Sequence, residues 1–156
     1  MENAAFIDFL VTAKKNTYAI INDITKIMME DGGTEVNYRE GLFYYRDRYY
    51  GGEPFIGEEV VVYDDAIIWG MNLRGKVINP LIPMEEVYAF VREALKNMTS
   101  DAPFRGPAHF QMNDLNYSSE ANGTPEHFHG VEKVYLKNQL IYECFYHGGC
   151  VGKISS

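Results

Sequence analysis

Two stretches of this chain carry the same string at a fixed offset. Phe55, Gly57, Glu59 and Val61 match Phe128, Gly130, Glu132 and Val134, each pair standing 73 residues apart. At the same offset Ile68 matches Ile141, Trp69 faces Tyr142, Met71 faces Cys144, and Gly75 matches Gly148. A unit of one helix and a few strands cannot cover both faces of its own sheet, so two such units must pack into one core. The expected fold is therefore α+β: two pseudo-symmetric helix-plus-three-strand repeats, about 1–79 and 80–156, forming a mainly antiparallel, curved sheet. A length of 156 residues suits one domain over 1–156, and a hydrophobic content of 46% excludes a disordered chain.

Local patterns fill in the units. Phe6, Phe9, Leu10 and Ala13 recur at helical spacing and predict a helix over residues 2–15. Ile20, Ile21, Ile24, Ile27 and Met28 form a second stripe, which Asp31-Gly32-Gly33 ends. Strands are expected over 42–50, 59–63 and 67–73, with a short one at 76–79 and a tight turn at Asp64-Asp65. Pro80 and Pro83 open a helix whose stripe is Met84, Val87, Tyr88, Val91, Leu95 and Met98. Strands over 108–112, 115–119, 131–136 and 140–146 follow, with residues 118–125 read as a polar loop.

Strand alternation decides what the repeated glutamates face. Phe128, Glu132 and Val134 share one face of their strand, while His129, Lys133 and Tyr135 share the more polar one. Glu132 thus sits on the apolar face, and Glu59 does the same by the repeat. A buried carboxylate is costly unless it is paired or hydrogen-bonded. Two solutions exist. Each glutamate is tied to backbone N–H groups or to an arginine such as Arg39 or Arg105, or the two line a pocket between the halves and meet a ligand. The candidate ligand-binding residues are Glu59, Glu132, Tyr45, Trp69 and Tyr142. Two neighbouring carboxylates with aromatic walls fit an organic cation.

Other chemistry has little support in the residues. A formal charge of −8 with scattered Lys and Arg argues against direct nucleic-acid contact and an anionic membrane surface. No stretch is apolar enough to span a bilayer, and the N-terminus lacks the charged and apolar segments of a signal peptide. Cys144 and Cys150 read as reduced thiols, which with the foregoing leads to an expected cytoplasmic location. His127 and His129 could converge from an extended segment, but they read as surface loop histidines and no metal ligand is assigned. Cys144 and His147 would fall on opposite strand faces, and the glycines near Lys153 lack the spacing of a phosphate loop. No catalytic residue and no cofactor is assigned.

Several strings carry a family resemblance: Tyr38-Arg39-Glu40-Gly41, Tyr49-Tyr50-Gly51-Gly52, Phe55-x-Gly57-Glu58-Glu59-x-Val61, Trp69-x-Met71-Asn72, Phe104-Arg105-Gly106-Pro107, and Tyr142-Glu143 followed by His147-Gly148-Gly149. Over nearly its whole length the chain resembles a bacterial family of domains of unknown function, found alone or fused behind helix-turn-helix DNA-binding domains in regulators. The resemblance implies effector sensing or interaction; the chain departs from the family around Ile20 to Met28, where the family pattern leads to a looser segment after Thr17-Tyr18-Ala19. In architecture, duplicated α+β units with a central glutamate are similar to effector-binding domains that recognise cationic drugs. The functional expectation is a small-molecule or peptide binding domain with an aromatic, acidic pocket between two repeats. A protein–protein interaction or assembly module, with homo-oligomerisation open, is the second reading, and a hydrolase using the paired glutamates the third.

Overall fold

The computed structural model describes residues 3–17 and 26–152. Helix α1 (Asn3–Thr17) precedes strands β1 (Ile27–Met28), β2 (Thr34–Glu40), β3 (Phe43–Gly51), β4 (Phe55–Tyr63) and β5 (Ala66–Val77). Helix α2 (Met84–Leu95) precedes β6 (His109–Met112), β7 (Leu115–Thr124), β8 (His127–Leu136) and β9 (Gln139–Cys150). The nine strands form one curved, open sheet in the order β1-β2-β3-β4-β5-β9-β8-β7-β6. Every neighbouring pair is antiparallel. The chain is α+β, as its patterning led us to expect.

Several elements differ from the sequence reading. The four strands expected after α2 are present, one more than the three-stranded repeat unit holds; the stretch before α2 adds β2 and the short β1, and residues 76–77 close β5 instead of forming a strand of their own. β2 escaped notice because Glu35, Asn37, Arg39 and Glu40 leave little apolar alternation; its register against β3 supplies what its composition lacks. Residues 118–124 are strand rather than loop, since pairing along β8 satisfies their backbone despite their polarity. His127 and His129 accordingly stand on a strand, not in a loop. Ile27 and Met28 are strand, not helix, while the stripe through Ile20, Ile21 and Ile24 lies outside the described residues, as does Glu2. Met98 is buried beyond the end of α2 rather than within it.

Turn chemistry explains the hairpins. Asp64 and Asp65 take φ of 47° and 61°, and Lys137 and Asn138 take 45° and 70°. Such left-handed pairs match the twist of the strands they join. Register shifts occur between Val61 and Val62 and between Val134 and Tyr135.

Both helices contribute to one core. Phe6, Phe9, Leu10 and Ala13 of α1 and Val87, Phe90, Val91 and Ala94 of α2 share a buried cluster with Tyr45, Trp69, Phe128 and Tyr142. At the join of the central strands, a Cβ on Gly148 would stand 2.3 Å from the Gly70 carbonyl oxygen and 2.6 Å from Met71 Cβ. Backbone cannot yield cheaply there. Gly148→Ala is expected to destabilise the fold by about 1–3 kcal/mol. Gly52→Ala, where a Cβ meets nothing within 4 Å, should be close to neutral. Urea denaturation of both variants checks the contrast, and equal losses would contradict it.

Candidate functional site

Asp47 on β3 stands directly opposite Glu59 on β4. Alternation puts Tyr45 and Asp47 on the inner face of β3, as it puts Glu59 and Val61 on that of β4. Glu132 enters from β8, and both glutamates are fully buried. Two cations answer them. Lys14 lies one helical turn after Leu10, so it shares the buried face of α1 and is itself 0% exposed. Its Nζ stands 2.7 Å from Glu59 Oε2, donates to the Phe104 carbonyl at 2.6 Å and to Met71 Sδ at 3.3 Å.

Arg105 comes from the segment between α2 and β6. Phe104 anchors that segment by stacking on Phe128 at 4.3 Å between centroids. Gly106 lets it approach, because a Cβ there would meet the Tyr117 hydroxyl at 2.6 Å. Arg105 then donates through Nε and Nη2 to the two oxygens of Glu132, at 3.2 and 3.1 Å. Its Nη1 stands 3.9 Å from Glu59 Oε1. Glu132 also accepts from Tyr117 at 2.6 Å and from Tyr142 at 3.1 Å, and the Gly106 N–H donates to the Tyr117 hydroxyl at 3.0 Å. Glu132 is thus fully served. Glu59 is not: neither oxygen meets a donor in hydrogen-bond geometry among the described residues, although Lys14 is close.

Burial governs the protonation of this cluster. Desolvation lowers the Lys14 pKa, with the neighbouring Glu59 charge opposing it. Desolvation first, and the Glu59 charge second, push Asp47 up to about 8. Burial and then the Glu132 charge raise the hydroxyls of Tyr117 and Tyr142 well above the usual range. Cys144, also buried, is pushed up to about 12, while Cys150 is exposed; both thiols are free.

Beside the cluster lies a cavity of about 240 Å³ between α2 and β3–β5. Phe55, Leu73, Tyr88 and Val91 supply apolar walls, and Asp47 and Arg105 bring the buried cluster to its surface. Tyr88 is held in place by a hydroxyl hydrogen bond to Glu53, which also accepts the Val77 N–H at 2.8 Å.

Of the five residues singled out in the sequence, Glu59 and Glu132 do come together, with Arg105 between them. Tyr142 touches both Glu132 and the cavity. Tyr45 and Trp69 are packed into the core and are not among the residues lining this cavity. Trp69 stacks on Phe128 at 5.7 Å, and its Nε1 donates to the Pro125 carbonyl. Arg39 takes no part and lies over the Tyr44 ring at 4.7 Å. Lys14 and Asp47 were missed, although each had a positional signal: Lys14 follows Leu10 by one turn, and Asp47 follows Tyr45 by one strand alternation. His129 stands opposite His147 on exposed positions, and among the described residues no group of three or more His, Cys, Asp or Glu is placed to hold a metal.

Among the described residues, a nine-stranded antiparallel sheet with two helices over one core and a buried acid–base cluster beside a cavity defines the class of domain. The family is then direct: a model described as "Domain of unknown function (DUF5680)" matches residues 47–151, and the chain belongs to that family. No curated protein and no solved structure matches it. No helix among the described residues is long and apolar enough to cross a membrane.

Proposed function

We propose that this chain is a small-molecule binding or sensing domain of the bacterial cytoplasm, and that its site is the cavity between α2 and β3–β5. The observation that carries the reading is Asp47: 8% exposed, opposite Glu59, on the cavity surface and without an ion-pair partner among the described residues. A polar group left that way inside an apolar wall costs stability unless something binds it. Ligand sites typically combine apolar walls with a few fixed polar groups. In this reading Glu59 and Glu132 hold the site in shape rather than carry out hydrolysis.

Gly52 offers the test. It lines the cavity, and a Cβ there meets nothing, so Gly52→Trp adds bulk without forcing the backbone. Compounds that raise the melting temperature of the wild type should leave Gly52→Trp unmoved, with its far-ultraviolet spectrum unchanged. Equal shifts in both proteins would contradict the reading.

Two further points belong to the same proposal. The halves read as a duplication. What supports this is the matching register: Phe55 pairs with Gly75 and Glu59 with Met71, while Phe128 pairs with Gly148 and Glu132 with Cys144. The register shifts at Val61/Val62 and Val134/Tyr135 also keep the offset. Opposite Glu132, however, stands Ser119, where Asp47 stands opposite Glu59; the acid at the cavity belongs to one half. An interaction role is favoured separately by the outer sheet face, where Ile56 and Phe145 are each more than half exposed and flank Arg74.

A further inference from the structure

We propose that Asp47 is the recognition point for a single protonated amine carried on an apolar body, bound in the cavity between α2 and the sheet. The inference rests on the reading of that cavity as the binding site and names its ligand class.

Three groups face Asp47 from the elements around it: Glu59 from β4, Lys14 from α1 and Arg105 from the segment before β6. Both cations are committed. Lys14 is spent on Glu59, the Phe104 carbonyl and Met71, and Arg105 on Glu132. Tyr88 and Tyr142 direct their hydroxyls to Glu53 and Glu132. Among the described residues Asp47 is therefore the acid of the cluster with no cation at ion-pair distance, whereas Glu59 has Lys14 and Glu132 has Arg105, and it is the sole carboxyl lining the cavity. An ammonium group brings three N–H donors and a positive charge to that one carboxyl. An anion there would instead approach two fully buried carboxylates. Phe55, Tyr49, Tyr88 and Tyr142 give the bound cation aromatic surroundings. Lys26 and Arg92 also line the cavity. With Arg92 on the wall a second positive charge is disfavoured, so the ligand is a monoamine rather than a polyamine.

Binding carries a proton balance. With its carboxyl pushed up to about 8 by burial and by Glu59, Asp47 is mostly neutral near pH 7. The ammonium keeps its three protons, the Asp47 O–H bond breaks, and that proton leaves to solvent as the ion pair forms. Below about pH 8 affinity should then rise about tenfold per pH unit, and above it should level.

Calorimetry of the full chain with phenethylamine, its neutral counterpart phenethyl alcohol and the anion phenylpropanoate tests this. We expect the amine to bind tightest near pH 8, with about one proton released per amine bound near pH 6.5, read from the dependence of heat on buffer. Asp47→Asn should weaken the amine at least about tenfold and flatten its pH dependence, while leaving the alcohol unaffected. Tighter binding of phenylpropanoate than of the amine, or equal binding of the amine by Asp47→Asn, would overturn the proposal while the cavity reading stands. If none of the three binds, the proposal falls together with that reading.

Discussion

Replacing Arg105 with methionine should cost about 3–5 kcal/mol of folding stability, the largest single loss expected in this molecule. Arg105 is buried and holds both oxygens of Glu132 while reaching toward Glu59. Methionine fills much of the volume but leaves Glu132 without its counter-ion inside the core. Tyr117 and Tyr142 still donate to that carboxylate, so hydrogen bonds alone would remain. A loss of this size approaches the whole stability of an ordinary domain. It should also be global, because Glu59 and Glu132 belong to different hairpins that meet at the β5–β9 pairing. Arg105→Lys retains the charge but not the two-pronged geometry, and should fall between the two. Urea denaturation measures both; a loss below about 1 kcal/mol for Arg105→Met would contradict the role of Arg105 as the tie that holds Glu132.

Much of this arrangement was legible in the residues, and for identifiable reasons. The alternation that puts Phe128, Glu132 and Val134 on one face needed no tertiary knowledge, and the 73-residue offset carried it to Glu59. Arg105 was one of two arginines that could answer a buried glutamate, and only the packing of Phe104 on Phe128 chooses it over Arg39. Lys14 was harder, because a Lys14-Lys15 pair at the end of a helix reads as a solvated terminus. Its position relative to Leu10 contradicts that, but a lysine on an apolar stripe is recognised only once its carboxylate is in place. Trp69 and Tyr45 suit pocket walls and cores alike, because both are large aromatic residues; what separates the two is which element covers them, and that is a property of the assembled sheet and of α1. The cavity depends on how α2 sits over β3–β5. Nothing in local sequence sets that, since it follows from contacts distant in the chain, such as Tyr88 meeting Glu53 and Val87, Phe90 and Val91 entering the shared core.

The second large effect is a pH dependence from Asp47. Its carboxyl is raised from 3.8 to about 8 in the folded chain, by burial first and the Glu59 charge second. The folded state therefore binds the proton more tightly than the unfolded chain. The stability this contributes is complete below about pH 4 and is lost as pH rises toward 8, at up to about 1.4 kcal/mol per unit. Above that the loss stops. Asp47→Asn cannot ionise, so its stability should vary far less across this window. Near pH 8.5 it should be the more stable protein by several-fold more than the scatter between replicate melts. Parallel profiles for the two proteins would contradict the assignment. Other carboxylates also titrate in the acid range, which is why the comparison is with the variant rather than with the wild-type curve alone.

Both the stability profile and the proposed amine site come down to one carboxyl beside the cavity. Carbon NMR titration of labelled aspartate, with the Asp47 signal assigned by its disappearance in Asp47→Asn, reads that carboxyl directly. The expected midpoint is near 8 in the free protein, with a clear downward displacement when phenethylamine is present. A midpoint near 4 in the free protein, unmoved by the amine, would show that Asp47 is an ordinary solvated acid and would contradict the account.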